Sequence, residues 1–140
     1  MVNSGAIITA GLLLPELSNS QRLSFVREQF GRLIGWKENQ TSTIDLPRFN
    51  KFMARQENFK GYNNFASAFL LMATGNLPYS ESKLPNDRHK DSPDDFDFYV
   101  EPAVTRALKL YFSICSIEMT ATDIAMAGAT LANSGVCPIT

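Results

Sequence analysis

PAVTRALKLYFSICSIEMTATDIAMAGATLANSG, residues 102–135, decides the architecture of this chain. Pro102 can open a helix, because a proline in the first turn forfeits no intrahelical hydrogen bond. Leu108, Tyr111, Phe112 and Cys115 then recur on one helical face. Thr120 followed by Asp123 has the form of a capping box, with Asp in place of Glu or Gln, and starts a further helix. Asn133-Ser134-Gly135 ends it. Two helices in succession, with no alternating strand pattern between them, point to a mainly α chain.

The same pattern extends toward the N-terminus. Val2 to Leu14 is small and apolar almost all round, which predicts a buried helix ended by Pro15. Ser18, Asn19 and Ser20 are candidate N-caps for a second helix, in which Leu23, Val26, Phe30, Leu33 and Ile34 recur until Gly35. Asp45-Leu46-Pro47 predicts a third helix start, running to about Arg55. Glu57 to Tyr62, with Gly61, reads as a connection. A fourth helix is expected from about Asn64 to Thr74, stopped by Gly75. Residues 76–99, punctuated by Pro78, Pro85 and Pro93, are expected to form a mobile polar loop. No strand and no repeat is expected.

A chain of 140 residues is one domain in size, able to bury roughly 68% of its unfolded surface. Apolar residues at 44% and charged residues at 19% are ordinary for a globular chain. Thirteen basic and fourteen acidic side chains give a net charge of −1, and no basic stripe is present, so a nucleic-acid partner is not expected. The apolar run from Ala6 to Leu14 falls far short of the roughly 20 residues of a membrane helix, so no membrane partner is expected. Cys115 and Cys137 lack metal-ligand spacing, and no Gly-rich phosphate loop or metal cluster occurs; no metal or cofactor is expected. Cys115, in an apolar stretch, is expected as a buried reduced thiol, and the expected compartment is intracellular, cytoplasm or mitochondrion.

Two segments resemble the signatures of a family. Met1-Val2-Asn3-Ser4-Gly5-Ala6-Ile7 is one. Leu110-Tyr111-Phe112-Ser113-Ile114-Cys115-Ser116-Ile117-Glu118, continuing through Ala129–Gly135 to Cys137-Pro138-Ile139-Thr140, is the other. Glu57, Gly61 and Asn64-Phe65-Ala66 form a weaker third match, in the same order. Together they resemble the serine-dependent glutaminases in their animal-like branch. The resemblance implies hydrolysis of L-glutamine to L-glutamate and ammonia on a serine β-lactamase-like α/β fold, of which this chain is the helical part. The central sheet and the catalytic Ser-x-x-Lys helix are expected to be missing, so residues 1–140 read as a partial glutaminase domain. The family's oligomeric habit implies a homo-oligomer.

Carried over by position, the resemblance implies that Asn3, Glu57, Asn64 and Tyr111 contact the substrate. Free glutamine presents an ammonium, a carboxylate and a carboxamide, which one carboxylate and several neutral donors and acceptors can satisfy. Each residue also has a plain structural role open to it: Asn3 and Asn64 as helix caps, Glu57 as a solvated carboxylate, Tyr111 as a core aromatic.

The resemblance implies no catalytic residue in this chain. The family's nucleophile belongs upstream of Asn3, and its further pocket tyrosine and Lys-Ser-Gly segment belong beyond Thr140. Ser80-Glu81-Ser82-Lys83 has the right spacing but the wrong place, and His89 reads as a solvated side chain between Arg88 and Lys90. The connection before Asn64 lacks the family's Gly-Asp-Arg run. The chain alone is therefore expected to be inactive, a truncated product or part of a gene, with an uncovered apolar face. Two alternatives remain open: a non-catalytic partner that binds glutaminase subunits, and a helical module without a glutamine site.

Overall fold

The hydroxyl side chains at two expected helix starts close capping boxes. Ser18 accepts from the Gln21 backbone N–H while the Gln21 side chain takes the Ser18 N–H at 3.0 Å. Asp123 N–H donates to Thr120 Oγ1 at 3.1 Å, and Thr120 N–H donates to Asp123 Oδ2 at 2.9 Å. Each box satisfies backbone donors that the first helical turn leaves orphaned. The computed structural model describes residues 3–36, 46–77 and 102–139. Among them the helices are α1 (Ser4–Leu12), α2 (Asn19–Leu33), α3 (Lys51–Lys60), α4 (Tyr62–Ala73), α5 (Pro102–Cys115) and α6 (Ala121–Ala132).

Helix α5 is the centre of the assembly and packs against α1, α2, α3 and α4. Its Val104, Ala107, Leu108 and Phe112 join Ile7 of α1, Ala68 of α4 and Leu77 in one buried cluster. The Phe112 ring lies against Phe65 and Tyr111, at centroid distances of 6.3 and 5.3 Å. A phenylalanine so enclosed contributes about 2–3 kcal/mol by area alone. Helix α6 is attached differently: it packs on α2, with the Thr130 hydroxyl donating to the Leu33 carbonyl at 2.7 Å.

Several expectations need correction. The third helix starts at Lys51, capped by the Asn50 carboxamide, which accepts from Met53 N–H at 3.1 Å. Pro47 instead offers its carbonyl to Arg27 Nε at 2.7 Å and leads into an extended residue pair. Asp45 lies outside the described residues. That pair, β1 (Arg48–Phe49), joins β2 (Ile117–Glu118) antiparallel, with Arg48 opposite Glu118 and Phe49 opposite Ile117. No strand was expected, and two residues are too few for a period-two pattern to register. Glu57 to Lys60 is not a connection but the last turn of α3, and Gly61 alone separates α3 from α4. Leu77, placed in the expected loop, is buried in the core, and its N–H donates to the Leu71 carbonyl at 3.1 Å. The rest of that loop, residues 78–99, including Ser80, Lys83 and His89, lies outside the described residues.

Helix α1 is not buried all round. Ile7 and Ala10 are buried, Ile7 in the cluster with α4 and α5, while Leu12 is 57% exposed. Its C-terminal end is closed by Arg22, which is 1% exposed. The guanidinium donates to the carbonyls of Leu13, Ala10 and Gly11 and to the Asn19 carboxamide. A buried charge is tolerable there because it meets the negative end of a helix and several orphan carbonyls. Burial lowers its pKa first, Arg106 adds to this, and Glu16 opposes it. Arg106 repeats the device, donating to the Pro15 and Leu17 carbonyls.

Large apolar side chains remain exposed on α3, α4 and α6, among them Phe52, Phe59, Tyr62, Leu70, Ile124 and Leu131. Among the described residues no helix is long and apolar enough to cross a membrane.

Candidate functional site

The four residues singled out from the sequence converge. Asn3 occupies the N-cap position of α1 but makes no side-chain cap bond. Its amide donates instead to the Asn64 carboxamide oxygen at 3.0 Å. Asn64 lies in the first turn of α4, whose N-cap is Gly61, so its side chain is not a cap either.

Tyr111 completes the group from α5. The Asn3 side chain lies close enough to the Tyr111 phenol to act on its ionisation. The phenol is in turn close to the thiol of Cys115, one turn further along the same helix, and each acts on the other's ionisation. The bonded pair Asn3–Asn64 thus lies in one neighbourhood with Tyr111 and Cys115. The Tyr111 pKa is pushed up to about 12, foremost by burial, then by Cys115 and by the negative charge of Glu57, while the Asn3 amide works against the rise. At neutral pH the phenol is a neutral donor. Glu57 projects from the last turn of α3, exposed to solvent yet near enough to act electrostatically on both Tyr111 and Cys115.

Cys115 departs from expectation, being exposed rather than buried within the core. Its thiol is nonetheless crowded: burial raises its pKa, the Tyr111 phenol lowers it, and Glu57 raises it again. Cys115 was missed as a member of this group. Its position four residues after Tyr111, on the same helical face, was the available signal.

Gly61 explains how Glu57 and Asn64 come together. It is at once the C-cap of α3 and the N-cap of α4, and Asn64 N–H donates to its carbonyl at 2.8 Å. The chain turns within one residue, leaving the Glu57 carboxylate within electrostatic reach of Tyr111 and the Asn64 carboxamide bonded to Asn3.

The group offers one anion, two carboxamides, a phenol and a thiol, with no cationic side chain in it. A carboxylate of this kind can pair with an ammonium, and the carboxamides and phenol can supply directed bonds to neutral or anionic groups. A nucleophile is a different requirement. The hydroxyls of Ser67, Ser113 and Ser116 donate to the carbonyls of Asn63, Lys109 and Phe112, one turn back in their own helices, rather than to a base.

Comparison with known proteins points one way. The family model described as Glutaminase matches residues 94–140. "Putative glutaminase 2" of Caenorhabditis elegans is 31% identical over 140 residues, which are 100% of this chain and 18% of that protein. "Glutaminase" of Nostoc sp. is 32% identical over 100% of this chain and 32% of its own length. A Bacillus glutaminase crystal structure superposes with a TM-score of 0.70 at 27% identity, covering 99% of this chain and 35% of that one. A probable glutaminase from Bacillus subtilis, solved in complex with 6-diazo-5-oxo-L-norleucine, superposes equally well.

Proposed function

Because the chain belongs to the glutaminase family, we propose that it carries the amino-acid-recognition part of a site that hydrolyses L-glutamine to L-glutamate and ammonia. The helices are the helical portion of the β-lactamase-like fold of its structural relatives. The observation that carries the reading is the bond between Asn3 and Asn64, 61 positions apart, beside Tyr111 and within electrostatic reach of Glu57. In this reading Glu57 pairs with the α-ammonium, while Asn3, Asn64 and Tyr111 address the carboxylate and the side-chain amide. The molecule complexed with the Bacillus subtilis relative is by its name an L-amino acid with a carbonyl at the fifth carbon. Glutamine places its amide carbonyl at that same carbon, which supports the choice of ligand.

This chain alone binds glutamine weakly and does not cleave it. Ser67, Ser113 and Ser116 bond to their own helices, and removal of a serine nucleophile costs on the order of 10⁶ in turnover in a comparable enzyme. Full activity belongs to an assembly that contains the rest of the domain, as a homo-oligomer and in an intracellular compartment. A second reading, a non-catalytic partner of glutaminase subunits, draws on the exposed Ile124 and Leu131 of α6, each at least 60% accessible.

Calorimetric titration of the purified chain with L-glutamine tests the first reading. Weak binding that disappears in Glu57→Ala, with no ammonia released, is the expected result. Equal heats from Glu57→Ala and wild type would remove the site, and ammonia above the blank would overturn the inactivity of the chain.

A further inference from the structure

Gly61 has a backbone that any residue could adopt, with φ −80° and ψ 30°. Its requirement is space. A Cβ at this position would sit 2.6 Å from Phe112 Cζ and 2.7 Å from the Glu57 carbonyl oxygen. Neither neighbour can give way cheaply. Phe112 is 1% exposed and wedged beside Phe65 and Tyr111, and the carbonyl is backbone. The bare Cα of Gly61 therefore lets the tip of one aromatic ring fill the corner between two helices.

Three of the candidate site residues depend on that corner. Glu57 lies four residues before Gly61 and contributes the carbonyl that a Cβ would strike. Asn64 lies three residues after it and donates its N–H to the Gly61 carbonyl. Tyr111 is the chain neighbour of Phe112, and its ring lies tilted against it. We propose that Gly61 and Phe112 form a positioning joint that sets the distance of Glu57 and Asn64 from Tyr111, and that ligand recognition depends on its closure. The assignment of glutamine as the ligand rests on the function proposed above; the joint itself rests on geometry alone. Adding one methyl at Gly61 must push α3 or the Phe112 ring outward, and a shift near 1 Å at a positioned group is enough to disable it.

Gly61→Ala tests this, with Val104→Ala as the comparison. Val104 is fully buried on α5 outside the joint, so its truncation costs stability without touching the corner. Two readouts are taken on each full-length variant: calorimetric binding of L-glutamine, and the titration of the Tyr111 phenol by NMR with labelled tyrosine, assigned with Tyr111→Phe. In Gly61→Ala the helical circular dichroism should persist, glutamine affinity should drop at least about tenfold, and the phenol should titrate lower, from about 12 toward 10. Val104→Ala should leave both readouts in place. Wild-type affinity and an unmoved phenol in Gly61→Ala would overturn the joint, as would equal changes in Val104→Ala. If wild type itself binds no glutamine while the phenol still moves in Gly61→Ala alone, the glutamine reading fails and the joint stands.

Discussion

The side-chain amide of Asn3 donates to the carboxamide oxygen of Asn64 at 3.0 Å, tying the first residue before α1 to the first turn of α4. Both side chains are half-buried, and neither is spent on its own helix end. Truncating Asn3 to alanine leaves the Asn64 oxygen without this donor and should cost about 1 kcal/mol. Asn64→Ala should cost a similar amount. In a double-mutant cycle followed by urea denaturation, the pair should couple by at least about 0.5 kcal/mol. Strict additivity would mean that the bond is absent in solution.

The Tyr111 phenol makes stability depend on alkaline pH. Its folded pKa is raised from 10.0 to about 12, chiefly by burial. The folded state therefore holds the proton where the unfolded state has released it. The stability this contributes is fully present below pH 10 and is lost as pH rises toward 12. Tyr111→Phe should flatten the stability profile in that window relative to wild type, and leave its slope below pH 9 unchanged, about one unit short of the ordinary phenol range. Thermal melting across alkaline buffers reads the difference. Parallel curves for the two proteins would show that the phenol is not held as described.

What could be read from the chain before any coordinates divides by range. The caps at Ser18 and Thr120 and the stop at Asn133-Ser134-Gly135 are local chemistry, and each appears where expected, with Ser134 and Gly135 both at positive φ. The start of α3 was misplaced because Pro47 suits a first turn, whereas its carbonyl is taken by Arg27, a contact no local pattern carries. The polar run from Glu57 to Lys60 looked like a connection, yet it contains good helix formers and needs only Gly61 to end it. Helix α1 looked buried on all sides because composition reports hydrophobicity, not the number of neighbours available to cover it. The candidate site was visible only as an ordered set of individually ordinary residues. That Glu57, Asn3, Asn64 and Tyr111 meet, and that Cys115 and Gly61 belong with them, depends on how α1, α3, α4 and α5 pack.

The capping boxes make a stability prediction that bears on α6. Thr120→Ala removes an acceptor for Asp123 N–H and should cost about 1 kcal/mol. Because the main packing of α6 is on α2, the loss should loosen α6 without disturbing the group around Tyr111. Amide hydrogen exchange should therefore speed up across residues 121–132 of α6 and remain as in wild type across α5. Equal acceleration in both helices would mean that the two layers open as one unit.

Arg22 gives the strongest test of how the far end of α1 supports Asn3. The guanidinium supplies three N–H groups to backbone carbonyls at the end of α1 and is almost completely enclosed. Arg22→Met keeps the volume but leaves the Leu13 and Ala10 carbonyls buried without a donor, which should cost about 3 kcal/mol. Arg22→Lys keeps the charge but replaces a planar fork with a compact ammonium, and should recover only part of that loss. Urea midpoints order the three proteins as Arg, then Lys, then Met. The consequence at the other end of the helix follows from rigidity. Asn3 is nine residues of helix away from Leu13, so fraying of the last turn alone leaves the Asn3–Asn64 bond in place, whereas displacement of α1 as a body breaks it. A shift of the Asn64 side-chain amide resonances in Arg22→Met, absent in Arg22→Lys, would show that Arg22 holds the whole helix against α4 and α5.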